Sequence, residues 1–260
     1  SMRFERWSVL VLGWCVWASL GGGQALAQDP AQNQTPNQGA KKPYRKYLIS
    51  SDYNLNMDPM LLARMDIVSR YAVPECPTPW SVRKYRYFGG KQEQVRIIWI
   101  DNGKLKIGVL PTRGMGIFEV IENGQRVLGW TSPVKEIVNP RFVNLQNRGG
   151  LGWLEGFNEW FCRGGMEWNG QRGTDRFLDN QGEETSLDLT LNGRIANLPA
   201  QEVLLIAERE PPYRITLRAV VHERAVGGPN LELTTELSIE PNARTFRITD
   251  AVTNRGSQRQ

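Results

Sequence analysis

One segment near the C-terminal end of the sequence alternates strictly between apolar and polar residues. Its apolar set is Leu231, Leu233, Thr235, Leu237 and Ile239, and its polar set is Glu232, Thr234, Glu236, Ser238 and Glu240. Successive side chains of a β-strand point to opposite faces, so this period predicts a strand with one buried face. The segment 213–223 has the same period. Its inward positions are Ile215, Leu217, Ala219 and Val221, and its outward positions are Arg214, Thr216, Arg218 and His222.

Two Asn-Gly dipeptides between apolar runs predict β-hairpins. Asp101-Asn102-Gly103 separates runs at 95–100 and 104–110, and Glu122-Asn123-Gly124 separates runs at 117–121 and 127–130. Further strands are predicted at 202–208, 213–223, 231–240 and 245–253, with Pro and Gly between them. Many strands, few helices and no wider internal repeat predict an all-β sandwich or barrel.

One short helix is predicted before these strands, over Met60–Ser69. Asp58 is suited to cap it, and Leu61, Met65 and Val68 recur at helical spacing. The proline-rich stretch 74–79 is expected to end the element.

The sequence of the first 43 residues indicates an export signal followed by a disordered segment that tethers it to the folded domain. Arg3 and Arg6 precede an apolar run from Ser8 to Leu20 and a small-residue cleavage site at 25–27, so residues 1–27 are predicted to be a signal peptide. The run is shorter than a stable membrane span needs, so we expect a secreted or periplasmic protein. Residues 28–43 are polar and are predicted to be a disordered tether, which leaves 44–260 as the folded domain.

The strand predicted at 245–253 is followed by a turn signal, Asn254-Arg255-Gly256, with no return strand before Gln260. We therefore expect a domain that lacks C-terminal strands. The open sheet edge would invite self-association with another chain.

Composition excludes several kinds of function. The 32 Lys and Arg residues are interspersed with 27 Asp and Glu, so no basic stripe for nucleic acid is evident at a net charge of +5. The single histidine and the distant Cys76 and Cys162 predict no metal site, and no nucleotide-binding, zinc or serine-hydrolase motif appears. No cofactor is expected, and whether the two cysteines form a disulfide is left open.

Three segments together carry a resemblance to a known family. They are Leu110–Ile117 (LPTRGMGI), Trp153–Gly170 (WLEGFNEWFCRGGMEWNG) and Leu191–Ala200 (LNGRIANLPA). In this order, from about Leu105 to Thr253, they resemble the DUF4432 family, relatives of aldose 1-epimerase. The resemblance implies a galactose mutarotase-like β-sandwich, here without its C-terminal strands and preceded by the short helix.

The chain departs from the family pattern at three positions. Gly116 stands where the family usually has Asp, Gly164 where it has Cys, and Asn192 where it has His. Mutarotation needs an acid and a base, which a histidine pair and a late glutamate supply in the epimerases. Asn192 can hold a hydroxyl but cannot exchange a proton, so no catalytic residue is assigned.

The substrate-binding candidates are Arg113, Trp160, Arg163, Glu167, Asn192 and Arg194. Guanidinium groups suit vicinal hydroxyls and carboxylates, and indole faces suit the CH faces of sugars. Each has a plainer alternative, because surface ion pairs or core packing also explain such residues. The expected partner is a sugar or sugar acid. We expect a carbohydrate-binding protein with doubtful catalysis, and the alternatives are a mutarotase-like isomerase and an N-terminal fragment of a larger domain.

Overall fold

The computed structural model describes residues 41–51, 64–178 and 181–256. Its strands in chain order are β1 (Tyr44–Ser50), β2 (Met65–Val68), β3 (Ser81–Arg86), β4 (Arg96–Asp101), β5 (Leu105–Leu110), β6 (Gly116–Glu122), β7 (Gln125–Leu128), β8 (Gly173–Leu178), β9 (Glu184–Leu189), β10 (Glu202–Ala207), β11 (Ile215–Arg224), β12 (Asn230–Ile239) and β13 (Phe246–Asn254). Two helical turns of four residues, α1 (Ser69–Ala72) and α2 (Asn147–Gly150), accompany them. Single 3-10 turns cover Gly90–Gln92, Pro140–Phe142, Gly152–Glu155 and Ile195–Asn197.

The strands form two large antiparallel sheets and one separate hairpin. Strands β2 to β7 follow one another in a six-stranded meander, and the five-stranded sheet has the order β1-β10-β11-β12-β13. Within the described ranges, strands β8 and β9 pair only with each other. Strand β13 therefore forms one edge of the five-stranded sheet.

The main core lies between the inner faces of the two large sheets. The alternation predicted from the sequence is confirmed on β11 and β12, where every second side chain is buried. Ile98, Ile100 and Ile107 from one sheet belong to the same buried cluster as Leu205 and Leu217 from the other. The sequence pattern thus produces a β-sandwich, because each sheet buries one apolar face against the other.

Both predicted Asn-Gly hairpins are confirmed, and one of them also joins the sheets. Strand β4 pairs antiparallel with β5 and β6 with β7, the second pair with a register shift between Val120 and Ile121. The Asn102 amide is fully buried and donates to the carbonyls of Glu240 (2.7 Å) and Ala243 (2.9 Å). Since these carbonyls lie in the β12–β13 turn, Asn102 ties that turn to the six-stranded sheet.

The prediction of a helix over Met60–Ser69 is wrong for the C-terminal part of that range. Residues 65–68 form β2, which pairs with β3, and α1 begins only at Ser69. The helical spacing competed with a β-branched pair, Ile67 and Val68, and Ile67 is buried in the core. Sheet pairing therefore decided this element, while residues 60–63 lie outside the described residues.

The N-terminal expectations fall largely outside the described residues. The signal peptide predicted at 1–27 and residues 28–40 of the tether are not covered. Residues 41–43 are covered and form neither helix nor strand. Among the described helices, none is long and apolar enough to cross a membrane.

Candidate functional site

Two loop segments join to form the candidate site above the five-stranded sheet. The backbone N–H of Gly165 donates to the Asn192 carbonyl (3.0 Å), and the N–H groups of Arg194 and Ile195 donate to Gly165 (2.9 and 2.8 Å). The N–H of Asn192 in turn donates to Gly170 (2.8 Å). These bonds bring together the two sequence segments that carry Glu167 and Arg194.

Arg194 lies at the centre of this arrangement. Its Nε donates to Oε1 of Glu223 at 2.8 Å, and its Nη2 donates to Oε2 of Glu167. Its guanidinium carbon lies 4.7 Å from the centroid of the Trp168 ring, a cation–π contact. We call Glu167, Trp168, Arg194 and Glu223 the Arg194 cluster.

The Arg194 cluster keeps polar groups available to a ligand. The Arg194 side chain is 34% exposed and the Glu167 side chain 24% exposed. Among the described residues, none accepts from Nη1 of Arg194 and none donates to Oε1 of Glu167. The cluster therefore offers both a donor and an acceptor beside an aromatic ring.

Glu223 is a site residue that the sequence analysis missed. It is 3% exposed, and its second oxygen accepts the backbone N–H of Met166 at 2.8 Å. The signal was present, because Glu223 continues the inward series of β11 after Ala219 and Val221. A carboxylate at an inward strand position needs a charged partner, and Arg194 is that partner.

Asn192 and Gly193 shape the turn that presents Arg194. Both have positive φ, 56° and 68°. Asn and Gly are the residues that adopt this conformation most readily, which accounts for both side chains locally. A Cβ on Gly193 would lie 2.3 Å from the Trp168 carbonyl oxygen, so only glycine fits there. Within the described residues, the Asn192 side-chain amide has no hydrogen-bond partner.

Arg163 lies outside the Arg194 cluster and joins the loop at 114–115 to strands β12 and β13 of the five-stranded sheet. All three of its guanidinium nitrogens donate hydrogen bonds. Nε and Nη2 donate to the carboxylate of Asp250 (2.7 and 2.9 Å), and Nη2 also donates to the hydroxyl of Thr235 (2.8 Å). Nη1 donates to the backbone carbonyls of Gly114 (2.8 Å) and Met115 (2.7 Å). Burial raises the pKa of Asp250, but the hydrogen bonds from Arg163 and Thr235 outweigh it and lower the pKa below its usual value. Arg163 therefore has no donor left for a ligand in this structure.

Arg113 is fully buried. Its Nε pairs with Glu159, and neither side chain has any exposed surface. Its Nη1 donates to the carbonyl of Val138 (2.9 Å) and the amide oxygen of Asn197 (3.3 Å). Arg113 was predicted to contact a sugar, but its side chain has no exposed surface in this structure. The contacts that it makes are with other residues of the protein.

The tryptophans of the aromatic segment have different environments. Trp160 is 38% exposed and packs edge-on against Phe246 of β13, with ring centroids 6.1 Å apart. None of its described ring contacts is with the Arg194 cluster. Trp153 is buried against Phe157, and Trp168 is the one that contacts Arg194. The structure thus brings together Glu167, Asn192 and Arg194, and places Arg113, Trp160 and Arg163 in separate environments.

His222 lies on the outer face of β11, as the alternation predicted, opposite in direction to Glu223. Its Nε2 is 3.3 Å from Oε2 of Glu232. Burial and the charge of Arg224 lower the pKa of His222, and Glu232 offsets this only in part. The only histidine of the chain is therefore directed away from the Arg194 cluster.

The thiols of Cys76 and Cys162 are both free in the structure. Burial, with the charge of Glu159, raises the pKa of Cys162 to about 12. Over the three described ranges, no group of three His, Cys, Asp or Glu side chains is arranged to hold a metal ion.

Comparison with known proteins agrees with this fold. Residues 92–260 match the model of a domain of unknown function, DUF4432. The chain is also similar to the crystal structure of a putative aldose 1-epimerase from Klebsiella pneumoniae subsp. pneumoniae MGH 78578, with 33% sequence identity and a TM-score of 0.70. That match covers 82% of this chain and 52% of the other, so the chain spans about half the length of the structure it matches. No curated protein matches the chain. The predicted mutarotase-like β-sandwich is confirmed.

Proposed function

The chain belongs to the DUF4432 family, and on that basis we propose that it binds a saccharide at the Arg194 cluster. One observation carries the proposal: Arg194 is fixed between Glu167 and Glu223, over Trp168, and a third of its side chain is exposed, with no partner for Nη1 among the described residues. A charged donor held in one orientation is the kind of group that fixes sugar hydroxyls. The free amide of Asn192 supplies a further donor and acceptor in the same turn.

The charges of the cluster favour a neutral saccharide over a sugar acid. Two carboxylates, Glu167 and Glu223, are in contact with one guanidinium. A third carboxylate, brought in by a uronate, would meet like charges and would have to compete for Arg194. We therefore expect aldoses to bind more tightly than the corresponding uronates.

Binding is tested by calorimetry with neutral aldoses and uronates. Asn192→Gly removes the amide while keeping a residue that tolerates positive φ, and Arg194→Gln removes the charged donor. The control is Arg218→Gln, which alters an exposed arginine on the outer face of β11. We expect weaker binding in the first two variants and unchanged binding in the control. No heat with any aldose or uronate would refute the proposal.

The similarity to a putative aldose 1-epimerase favours a second candidate, mutarotation. Ring opening needs one group to give a proton and another to take one. Asn192 cannot exchange a proton, and the only histidine of the chain, His222, lies on the opposite face of β11 from Glu223, so the cluster offers no evident acid. Polarimetry on freshly dissolved aldoses tests this: wild type is expected at the uncatalysed rate. A faster rate in Asn192→His alone would show that the remaining machinery is present, and a faster wild-type rate would favour the isomerase.

The proposal includes export of the protein, supported by the charged, apolar and small-residue order of residues 1–27. A reporter enzyme that is active only outside the cytoplasm, fused after residue 43, tests this. Activity is expected with the leader and not when Arg3–Ala27 is deleted. Equal reporter activity in both would contradict export.

A further inference from the structure

Three cationic side chains lie side by side on the six-stranded sheet. Lys84 and Arg86 are two residues apart on β3 and so share a face, and Arg86 is directly opposite Arg96 on β4. This is the inner face, because the same positions continue as Val82 on β3 and Ile98 on β4, which are both buried. We call Lys84, Arg86 and Arg96 the cationic triad.

Among the described residues, no carboxylate pairs with the cationic triad. Lys84 is 2% exposed, and its Nζ donates to the carbonyl of Leu48 at 2.6 Å. The Nε of Arg86 is buried and has no partner. The Arg96 side chain likewise makes no hydrogen bond within the part of the chain that the structure describes. Like charges directly opposite one another on a sheet destabilise it, and buried unpaired charges cost more.

The electrostatics of the face agree with this geometry. Burial, followed by the charges of Arg96 and Arg86, lowers the pKa of Lys84 to about 8. Burial and the charge of Arg86 also lower the pKa of Arg96. The positive potential here is therefore uncompensated by the described protein groups.

A neutral donor completes the arrangement. The hydroxyl oxygen of Thr112 accepts the backbone N–H of Arg96 at 2.9 Å, which leaves the hydroxyl hydrogen free to donate. Two arginine forks and one ammonium group therefore present donors on one face, and the Thr112 hydroxyl lies beside the backbone of Arg96. Oxyanions, which have several acceptor oxygens and a negative charge, match such a set.

We propose that Lys84, Arg86 and Arg96 form a binding site for a small oxyanion, either a phosphate or a carboxylate group, held between the two arginines with Thr112 as an added donor. The anion neutralises the repulsion between Arg86 and Arg96 and supplies the partner that Nε of Arg86 lacks. This site lies on the other sheet from the Arg194 cluster and does not depend on saccharide binding.

The test uses the full chain in buffers of equal ionic strength that contain sodium chloride, sodium phosphate or sodium gluconate. Thermal unfolding and calorimetry are compared for wild type, Arg86→Gln, Arg96→Gln and the control Arg83→Gln. Arg83 is an exposed arginine on the opposite face of β3, so it is matched in residue type and strand. Phosphate and gluconate distinguish the two classes of anion.

We expect phosphate or gluconate to raise the Tm of wild type and Arg83→Gln above the value in chloride. Each triad variant should bind the anion about tenfold more weakly, because it loses a charge-assisted hydrogen bond. In chloride, each triad variant should unfold at the wild-type temperature or above it. The anion response should persist in Arg194→Gln.

Three results would overturn the proposal. The first is a wild-type response no larger in phosphate and gluconate than in chloride. The second is an anion response in Arg86→Gln and Arg96→Gln equal to that of wild type. The third is a marked loss of stability in chloride for either variant, because removing an unpaired charge should not destabilise the fold.

Discussion

Arg194 and Glu223 are joined by a 2.8 Å hydrogen bond between Nε and Oε1, and this bond anchors the candidate site to the core. Glu223 is 3% exposed and comes from the inner face of β11, whereas Arg194 comes from the loop above it. The guanidinium therefore gets its orientation from a buried carboxylate. A ligand that binds the exposed side of Arg194 meets a donor that is already in place.

Arg194→Met is expected to destabilise the protein by about 1–3 kcal/mol, because the Met166 N–H is then the only partner of Glu223 in the part of the chain that the structure describes. Urea unfolding measures the change. Arg218 lies on the outer face of β11, the strand that carries Glu223, and Arg218→Met should destabilise the protein much less. In an Arg194→Met/Glu223→Gln double variant the cost should be smaller than the sum of the single costs, and additive costs would contradict the coupling.

Arg113 and Glu159 form an ion pair with no exposed surface on either side chain. Glu159→Gln is expected to destabilise the protein by about 3–5 kcal/mol, because it leaves the buried Arg113 charge without its carboxylate. Guanidinium chloride unfolding measures this. Replacing both residues by Met should cost less than Glu159→Gln alone, and a double variant that is the least stable of the set would disprove the argument.

Gly193→Ala is expected to weaken saccharide binding and lower the Tm. A Cβ at this position would lie 2.3 Å from the Trp168 carbonyl oxygen and 2.5 Å from that of Gly165. Gly124→Ala is the matched control, since Gly124 also has positive φ, 77°, but has nothing within 4 Å of the added Cβ. Both variants place alanine at a positive φ, so the difference in Tm between them measures the steric contact of the added Cβ at position 193. Equal losses of Tm would show that this contact has no effect.

Stability should rise with pH in the alkaline range because of Lys84. Its folded-state pKa is about 8 against an ordinary value of 10.5. Between these values the folded protein has released the proton and the unfolded chain retains it, so deprotonation favours folding. Lys84→Met should remove this rise and stabilise the protein at pH 7 by on the order of 1–3 kcal/mol.

Urea midpoints at pH 7 and pH 10 measure the effect of Lys84. Lys46→Met is the control, since Lys46 is exposed on β1. A wild-type and a Lys84→Met curve that run parallel over this range would contradict the lowered pKa.

Cys162 should resist alkylation in the folded protein. Burial raises its pKa to about 12, so the reactive thiolate is scarce at pH 8. Mass spectrometry after iodoacetamide treatment is expected to find Cys162 modified only when urea is present. Rapid modification of Cys162 in the native protein would show that the thiol is not buried as described.

The strands of this fold were predictable because their signals are local. The alternation at 231–239 and the two Asn-Gly turns depend on neighbouring residues, and the structure confirms them. The helix over Met60–Ser69 failed at residues 65–68 because its spacing fitted two structures, and pairing with β3 selected the strand. Glu223 followed the same local period, and only its charge distinguished it from the core residues before it.

The sequence by itself determined an all-β sandwich, the face that each strand of the β11–β12 pair buries, and a family whose fold a solved structure shares. Only the tertiary structure decided which arginines are available. Arg113 forms an ion pair with Glu159, and Arg163 forms one with Asp250. Arg194 also forms ion pairs, but its Nη1 has no partner among the described residues. The reason is physical: an ion pair depends on which side chains meet across sheets and loops, and spacing along the chain does not contain that information.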